Sequence, residues 1–125
     1  MNQLNLTFVI IVCVLLTTAG QIALKIGASS PALVGLLDAG NLSAYAARAA
    51  LAPMVIIGLL LYALSTVLWL LILAKADLSY AYPFVSMGFV LTALYGRLAL
   101  HEVLTAPRIV GIALIVLGVF FVSRS

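Results

Sequence analysis

Four long stretches of this chain are nearly unbroken runs of apolar residues, at 6–26, 54–74, 80–98 and 104–122. A helix gains about 1.5 Å per residue, so crossing the roughly 30 Å hydrocarbon layer of a bilayer takes about 20 apolar residues. Four transmembrane helices are therefore predicted, and they fill most of a single domain spanning residues 1–125. Polar residues gather between the runs. Lys75, Asp77 and Ser79 lie in the short connection after the second run, which predicts an antiparallel hairpin of spans two and three. Arg97 and Arg108 bracket an almost equally short connection before the fourth, where Pro107 suits the first turn of a helix. The first connection, 27–53, is longer. Within it, 42–51 is Ala-rich with Tyr45 and Arg48 three apart, and reads as a short helix lying at the interface with Arg48 among the headgroups. An irregular loop is the alternative. Met1-Asn2-Gln3 carries no Lys or Arg, and the first apolar run continues past any plausible cleavage point, so the first span is expected to be retained rather than cleaved as a leader.

Composition supports a membrane setting. Of 125 residues, 66% are hydrophobic and 7% charged, too few polar side chains to coat a globule in water. An ordinary soluble enzyme, a nucleic-acid-binding domain and a disordered chain are excluded. The net charge of +3 comes from scattered residues rather than a basic patch that grips a nucleic acid. One cysteine, Cys13, allows neither an internal disulfide nor a cysteine metal cluster. Lys75 and Arg124 share one membrane side; Lys25, Arg48, Arg97 and Arg108 share the other. The full count favours the second side as cytoplasmic. Setting aside Lys25 and Arg97, which lie at the membrane ends of their spans, levels it.

Polar residues inside the spans carry the functional signal, because each is costly in hydrocarbon unless satisfied. Thr17, Gln21 and Lys25 recur every four residues and form one polar stripe on the first span. The stripe suits a cavity for a polar substrate; a hydrogen bond from Gln21 to a neighbouring helix and a snorkelling Lys25 are the structural alternative. Ala19, Ala23 and Gly27, and likewise Gly88, Thr92 and Gly96, are spaced for close helix packing. In the third span, Pro83 removes a main-chain donor and is expected to kink the helix, with Tyr82 and Ser86 on one face beside it. Tyr80 fits an interfacial belt equally well, as does Trp69 late in the second span, one turn after Ser65. Glu102 is expected to pair with Arg97 or Arg108, as a structural ion pair or a gate; alternatively Arg97 meets an anionic group, whose geometry its guanidinium matches. His101 has neither a carboxylate partner nor a second metal ligand at a suitable spacing, and no nucleophile constellation or phosphate-binding glycine loop occurs, so neither an enzyme nor a cofactor or metal site is indicated.

Ala19-Gly20-Gln21 through Lys25, Trp69, Leu78-Ser79-Tyr80-Ala81-Tyr82-Pro83 and Leu100-His101-Glu102 resemble the small multidrug resistance and EamA-like transporter superfamily over nearly the whole chain. Within it the chain is most similar to the small subunits of the 4-amino-4-deoxy-L-arabinose–phosphoundecaprenol flippase. The resemblance implies a small-multidrug-resistance-like bundle in a bacterial inner membrane. It also implies a dimer, of two copies or with a related small membrane subunit, seamed along the fourth span at Gly111, Ile115 and Gly118. One departure matters. The drug exporters of this superfamily carry a membrane-embedded Glu in the first span, and Thr17 holds the matching position here.

The resemblance thus points away from proton-coupled exchange of cationic drugs, which would want a buried anion. It points to a flippase or flippase subunit for a polyprenyl-phosphate-linked sugar, of the kind used in lipopolysaccharide modification. Thr17, Gln21, Lys25, Trp69, Tyr82, Ser86 and Arg97 would then contact the substrate while its tail stays among membrane lipids. An exporter of small amphipathic solutes and a non-transporting accessory subunit of a glycolipid-modifying complex are the competing expectations.

Overall fold

The structure is a computed structural model that describes residues 2–125; Met1, part of the segment read for a leader, lies outside them. Six helices follow in order: α1 Gln3–Ala28, α2 Pro31–Asp38, α3 Leu42–Leu51, α4 Pro53–Lys75, α5 Leu78–Leu98 and α6 Ala106–Ser123. No strand occurs among the described residues. Helices α1, α4, α5 and α6 are the four predicted spans, each long and apolar enough to cross a membrane. The chain is an all-α, four-span membrane protein.

Local chemistry sets the helix ends. The Asn2 side chain accepts the Asn5 N–H at 2.8 Å and caps α1. Helices α2 and α4 each begin with a proline, where a missing N–H costs nothing. Asn41 caps α3 by accepting the Ala44 N–H, and Thr105 caps α6 by accepting the Arg108 N–H. That second cap starts α6 at Ala106, two residues later than the predicted span. Helix α3 coincides with the predicted short helix. Helix α2 was not predicted; its start signal is the Ser30-Pro31 pair. The Tyr45 hydroxyl donates to the Ala28 carbonyl at 3.2 Å and ties α3 to the end of α1.

Helix α1 is central, packing against both α4 and α5, while α6 packs chiefly on α5. The four spans therefore lie in the order α4, α1, α5, α6. Ala76 and Asp77 alone join α4 to α5, yet these two helices meet only slightly. The predicted hairpin is a tight connection with little packing, because α1 takes the contact each helix would otherwise offer the other.

The α1–α4 seam is backbone against backbone. A Cβ on Gly58 would stand 2.9 Å from the Gly20 carbonyl oxygen and 2.8 Å from Leu24 Cγ. One on Gly27 would stand 2.7 Å from Val55 Cγ2. The small-residue face in use is thus Gly20, Ala23 and Gly27; Ala19, predicted to join it, is exposed. On the other side of α1, a Cβ on Gly88 of α5 would lie 3.0 Å from Thr18 Oγ1. Ile10, Cys13, Val14, Ile72 and Ala81 form the core where α1, α4 and α5 meet. Large apolar side chains such as Leu60, Leu70, Leu114 and Phe121 stay exposed, as expected where the solvent is lipid.

Candidate functional site

A cleft of about 200 Å³ opens between α4 and α5, with α1 as its floor. Its polar wall is Thr17 from α1 with Tyr62, Ser65 and Thr66 from α4; Trp69 and Tyr82 complete it across the gap. Cys13 and Val14 of α1 supply the apolar floor, and Val85 and Gly88 of α5 the apolar part of the wall. The two rings face each other edge to face, centroids 6.0 Å apart and planes at 70°, a favoured aromatic geometry. No acidic or basic side chain is among the lining residues.

The hydroxyls are oriented by the helices that carry them. Thr17 donates to the Cys13 carbonyl at 2.9 Å. Ser65 and Thr66 both donate to the Tyr62 carbonyl, at 2.7 and 2.9 Å. The Cys13 thiol donates to the Ser65 carbonyl at 3.3 Å. A hydroxyl has one proton and two lone pairs. With those protons committed to the backbone, Thr17, Ser65 and Thr66 present acceptor oxygens to a ligand. The cleft therefore accepts hydrogen bonds from hydroxyl or amino groups and offers flat aromatic faces beside them. The Tyr62 and Tyr82 hydroxyls and the Trp69 indole N–H add donors to the same lining, but no cation is there to match a phosphate charge.

Three of the residues expected at the substrate, Thr17, Trp69 and Tyr82, meet in this cleft. Gln21 and Lys25 lie one and two turns beyond Thr17 on α1, exposed, so the stripe leads from the cleft towards one membrane end. Ser86 is half-buried on α5 and outside the lining; Arg97 is exposed in the last turn of α5. Sequence reasoning did not assign Tyr62, Ser65 or Thr66 to the site. Their signal was available: Tyr62, Ser65, Thr66 and Trp69 follow the 0, 3, 4, 7 spacing of one helix face.

The acidic partner differs from expectation. Glu102 pairs with Lys25, Nζ to Oε1 at 3.8 Å, rather than with Arg97 or Arg108. The cause is the turn after α5. His101 takes a left-handed φ of 57° and reverses the chain, so that the Glu102 N–H reaches the Gly96 carbonyl at 2.9 Å. The Glu102 carboxylate then lies over Gly96, where a Cβ would meet Oε2 at 2.5 Å. The Arg108 guanidinium instead donates to the Val103 carbonyl at 3.1 Å. Both partners of the ion pair are about half exposed, so it contributes under about 1 kcal/mol. On α6, a Cβ on Gly111 or Gly118 would meet nothing among the described residues within 4 Å beyond its own stretch of helix, so the face of the expected seam is open.

No protein-family model and no solved structure matches the chain. Curated relatives do. The probable 4-amino-4-deoxy-L-arabinose-phosphoundecaprenol flippase subunit ArnF of Proteus mirabilis (strain HI4320) is 34% identical over 113 residues, 88% of this chain and 85% of that one. The subunit ArnE of Pseudomonas paraeruginosa (strain DSM 24068 / PA7) is 32% identical over 110 residues, 88% of this chain and 90% of that one. With ArnE of Pseudomonas savastanoi pv. phaseolicola the identity is 41% over 61 residues, and this chain there spans about half of its relative, 54%. Two alignments thus run through nearly all of the chain at more than 30% identity, and the chain belongs to the family of ArnE and ArnF flippase subunits.

Proposed function

We propose that this chain is a subunit of a flippase that carries a polyprenyl-phosphate-linked amino sugar across a bacterial inner membrane. The observation that carries this reading is the cleft: it lies among membrane-spanning helices, is uncharged, and combines acceptor hydroxyls with aromatic faces. A pyranose bearing hydroxyl and amino groups is a donor-rich ring with apolar C–H faces, and matches both. The polyprenyl tail stays in the bilayer, so only the headgroup crosses the cleft. A cationic drug would find no acid among the lining residues. The polar stripe through Gln21 to Lys25 continues the path to the membrane end where Arg97 also lies. The work is assigned to binding and orientation, not to bond making.

The active unit pairs this chain with a second copy or a related small subunit along α6, with Gly111, Ile115 and Gly118 at the seam. Two of these positions are glycines with open space before them, which lets a partner backbone approach closely.

The test is flipping of an aminoarabinosyl-phosphoundecaprenol in proteoliposomes. Trp69→Ala and Tyr62→Ala each remove an aromatic wall, and each is expected to slow flipping about tenfold, equivalent to about 1.4 kcal/mol. Wild-type rates in both variants, with the proteins folded, overturn the cleft as the headgroup path.

A further inference from the structure

The cleft offers no charge to match the phosphate of the proposed substrate, and the structure has a second, larger cavity at one end of the spans. A groove of about 610 Å³ lies where the start of α1, the α4–α5 joint and the end of α6 meet. Lys75, Asp77, Ser79 and Tyr80 line it, with Leu6 and Val122 as apolar walls.

Two features set its charges apart. First, Lys75 and Asp77 are both exposed in this groove and form no ion pair with each other or with any other described residue. Second, Asp77 is the N-cap of α5 but does not act as a side-chain cap. An Asp at that position normally spends its carboxylate on the amides two or three residues ahead. Here the Tyr80 and Ala81 N–H groups go to the Asp77 main-chain carbonyl, at 3.0 and 2.9 Å, and the carboxylate accepts no hydrogen bond from a described residue. The groove thus presents a cation and an anion two residues apart in the chain, neither with an ion-pair partner among the described residues. Single-sign ligands, such as a simple phosphate or a simple ammonium, would meet one attraction and one repulsion. A ligand carrying both signs meets two attractions.

We infer that this groove is a headgroup station that reads a zwitterion: Lys75 and the Ser79 hydroxyl take the lipid phosphate, and Asp77 takes the ammonium of the sugar. The assignment rests on the flippase reading above and gives it a specificity element. The far membrane end repeats the combination with Lys25 and Glu102, there closed on itself at 3.8 Å. Two of the three acids in the sequence thus stand beside a lysine, one at each end of the spans.

The test is binding by the full chain in nanodiscs to three lipids: aminoarabinosyl-phosphoundecaprenol, its N-acetyl analogue, and undecaprenyl phosphate. Wild type is expected to favour the free amine over the N-acetyl lipid about tenfold, the size of one charge-assisted contact. Asp77→Asn is expected to abolish that preference and leave undecaprenyl phosphate binding no weaker, and Asp77→Glu to retain the preference. Lys75→Gln is expected to weaken all three lipids alike. Helix content by circular dichroism reports folding, which Asp77→Asn should preserve because the side chain caps nothing. A preference that survives in Asp77→Asn, or Lys75→Gln with wild-type affinities, overturns the station while the flippase reading stands. Binding of none of the lipids by wild type overturns both.

Discussion

Gly58 and Gly111 are the same residue type on two helices of one protein, and the structure gives them opposite consequences. A methyl at Gly58 would press on the Gly20 carbonyl and on Leu24, both held by the α1–α4 seam. Gly58→Ala is expected to destabilise the fold by about 1–3 kcal/mol, the usual cost of overpacking a close contact. Gly111→Ala meets open space within the chain and should not lower the stability of the isolated chain. Thermal unfolding of both variants in detergent checks the contrast, and equal losses would contradict the seam. Thr18 offers the opposite sign. Its hydroxyl oxygen is buried between α1 and α5 without a hydrogen-bond partner among the described residues. Thr18→Val keeps the shape and removes a polar atom, so it should raise stability by about 1 kcal/mol in the same assay, where a loss would mean that the hydroxyl has a partner after all.

At the scale of elements, α3 hangs on the Tyr45 hydroxyl, which bonds to the last carbonyl of α1. Tyr45→Phe is expected to cost about 1 kcal/mol and to speed hydrogen exchange in α3 while leaving α1 and α4 protected. Unchanged exchange in α3 would place its anchor elsewhere. The helices show what a sequence makes legible. A span announces itself because twenty apolar residues in a row have few other uses, and all four were readable within a few residues. Helix α2 was not, since eight residues with a central Gly35 carry too little periodicity to stand out from a loop. Thr17, Trp69 and Tyr82, which line the cleft, were conspicuous in the sequence because polar and aromatic groups stand out in a span. The Lys25–Glu102 pairing was not, because it depends on the backbone reversal at His101, which no spacing rule encodes. Tyr62 and Thr66 show a shared helix face with Ser65 and Trp69 by their spacing, but nothing in the sequence says whether that face of α4 meets α1 or lipid.

For the molecule as a whole, the order α4, α1, α5, α6 leaves the last helix with one main neighbour and most of its surface exposed. Such a helix is cheap in lipid, where exposure of Leu114 or Phe121 carries no penalty, and it is available for assembly. Replacing both Gly111 and Gly118 with Leu should block close approach and leave a monomer in cross-linking experiments, with helix content unchanged. A dimer that persists in the double variant puts the seam elsewhere.

The α4–α5 joint has a mechanical meaning. These helices are the two walls of the cleft, and Ala76 and Asp77 are all that connects them. A change in the angle between the walls that leaves both helices straight is absorbed as torsion in those two residues, one of which carries a carboxylate that lines the groove. For such a motion, cleft width and the placement of that charge change together. If a headgroup bound in the groove narrows the cleft, linkage requires that a headgroup in the cleft tighten the groove by the same factor.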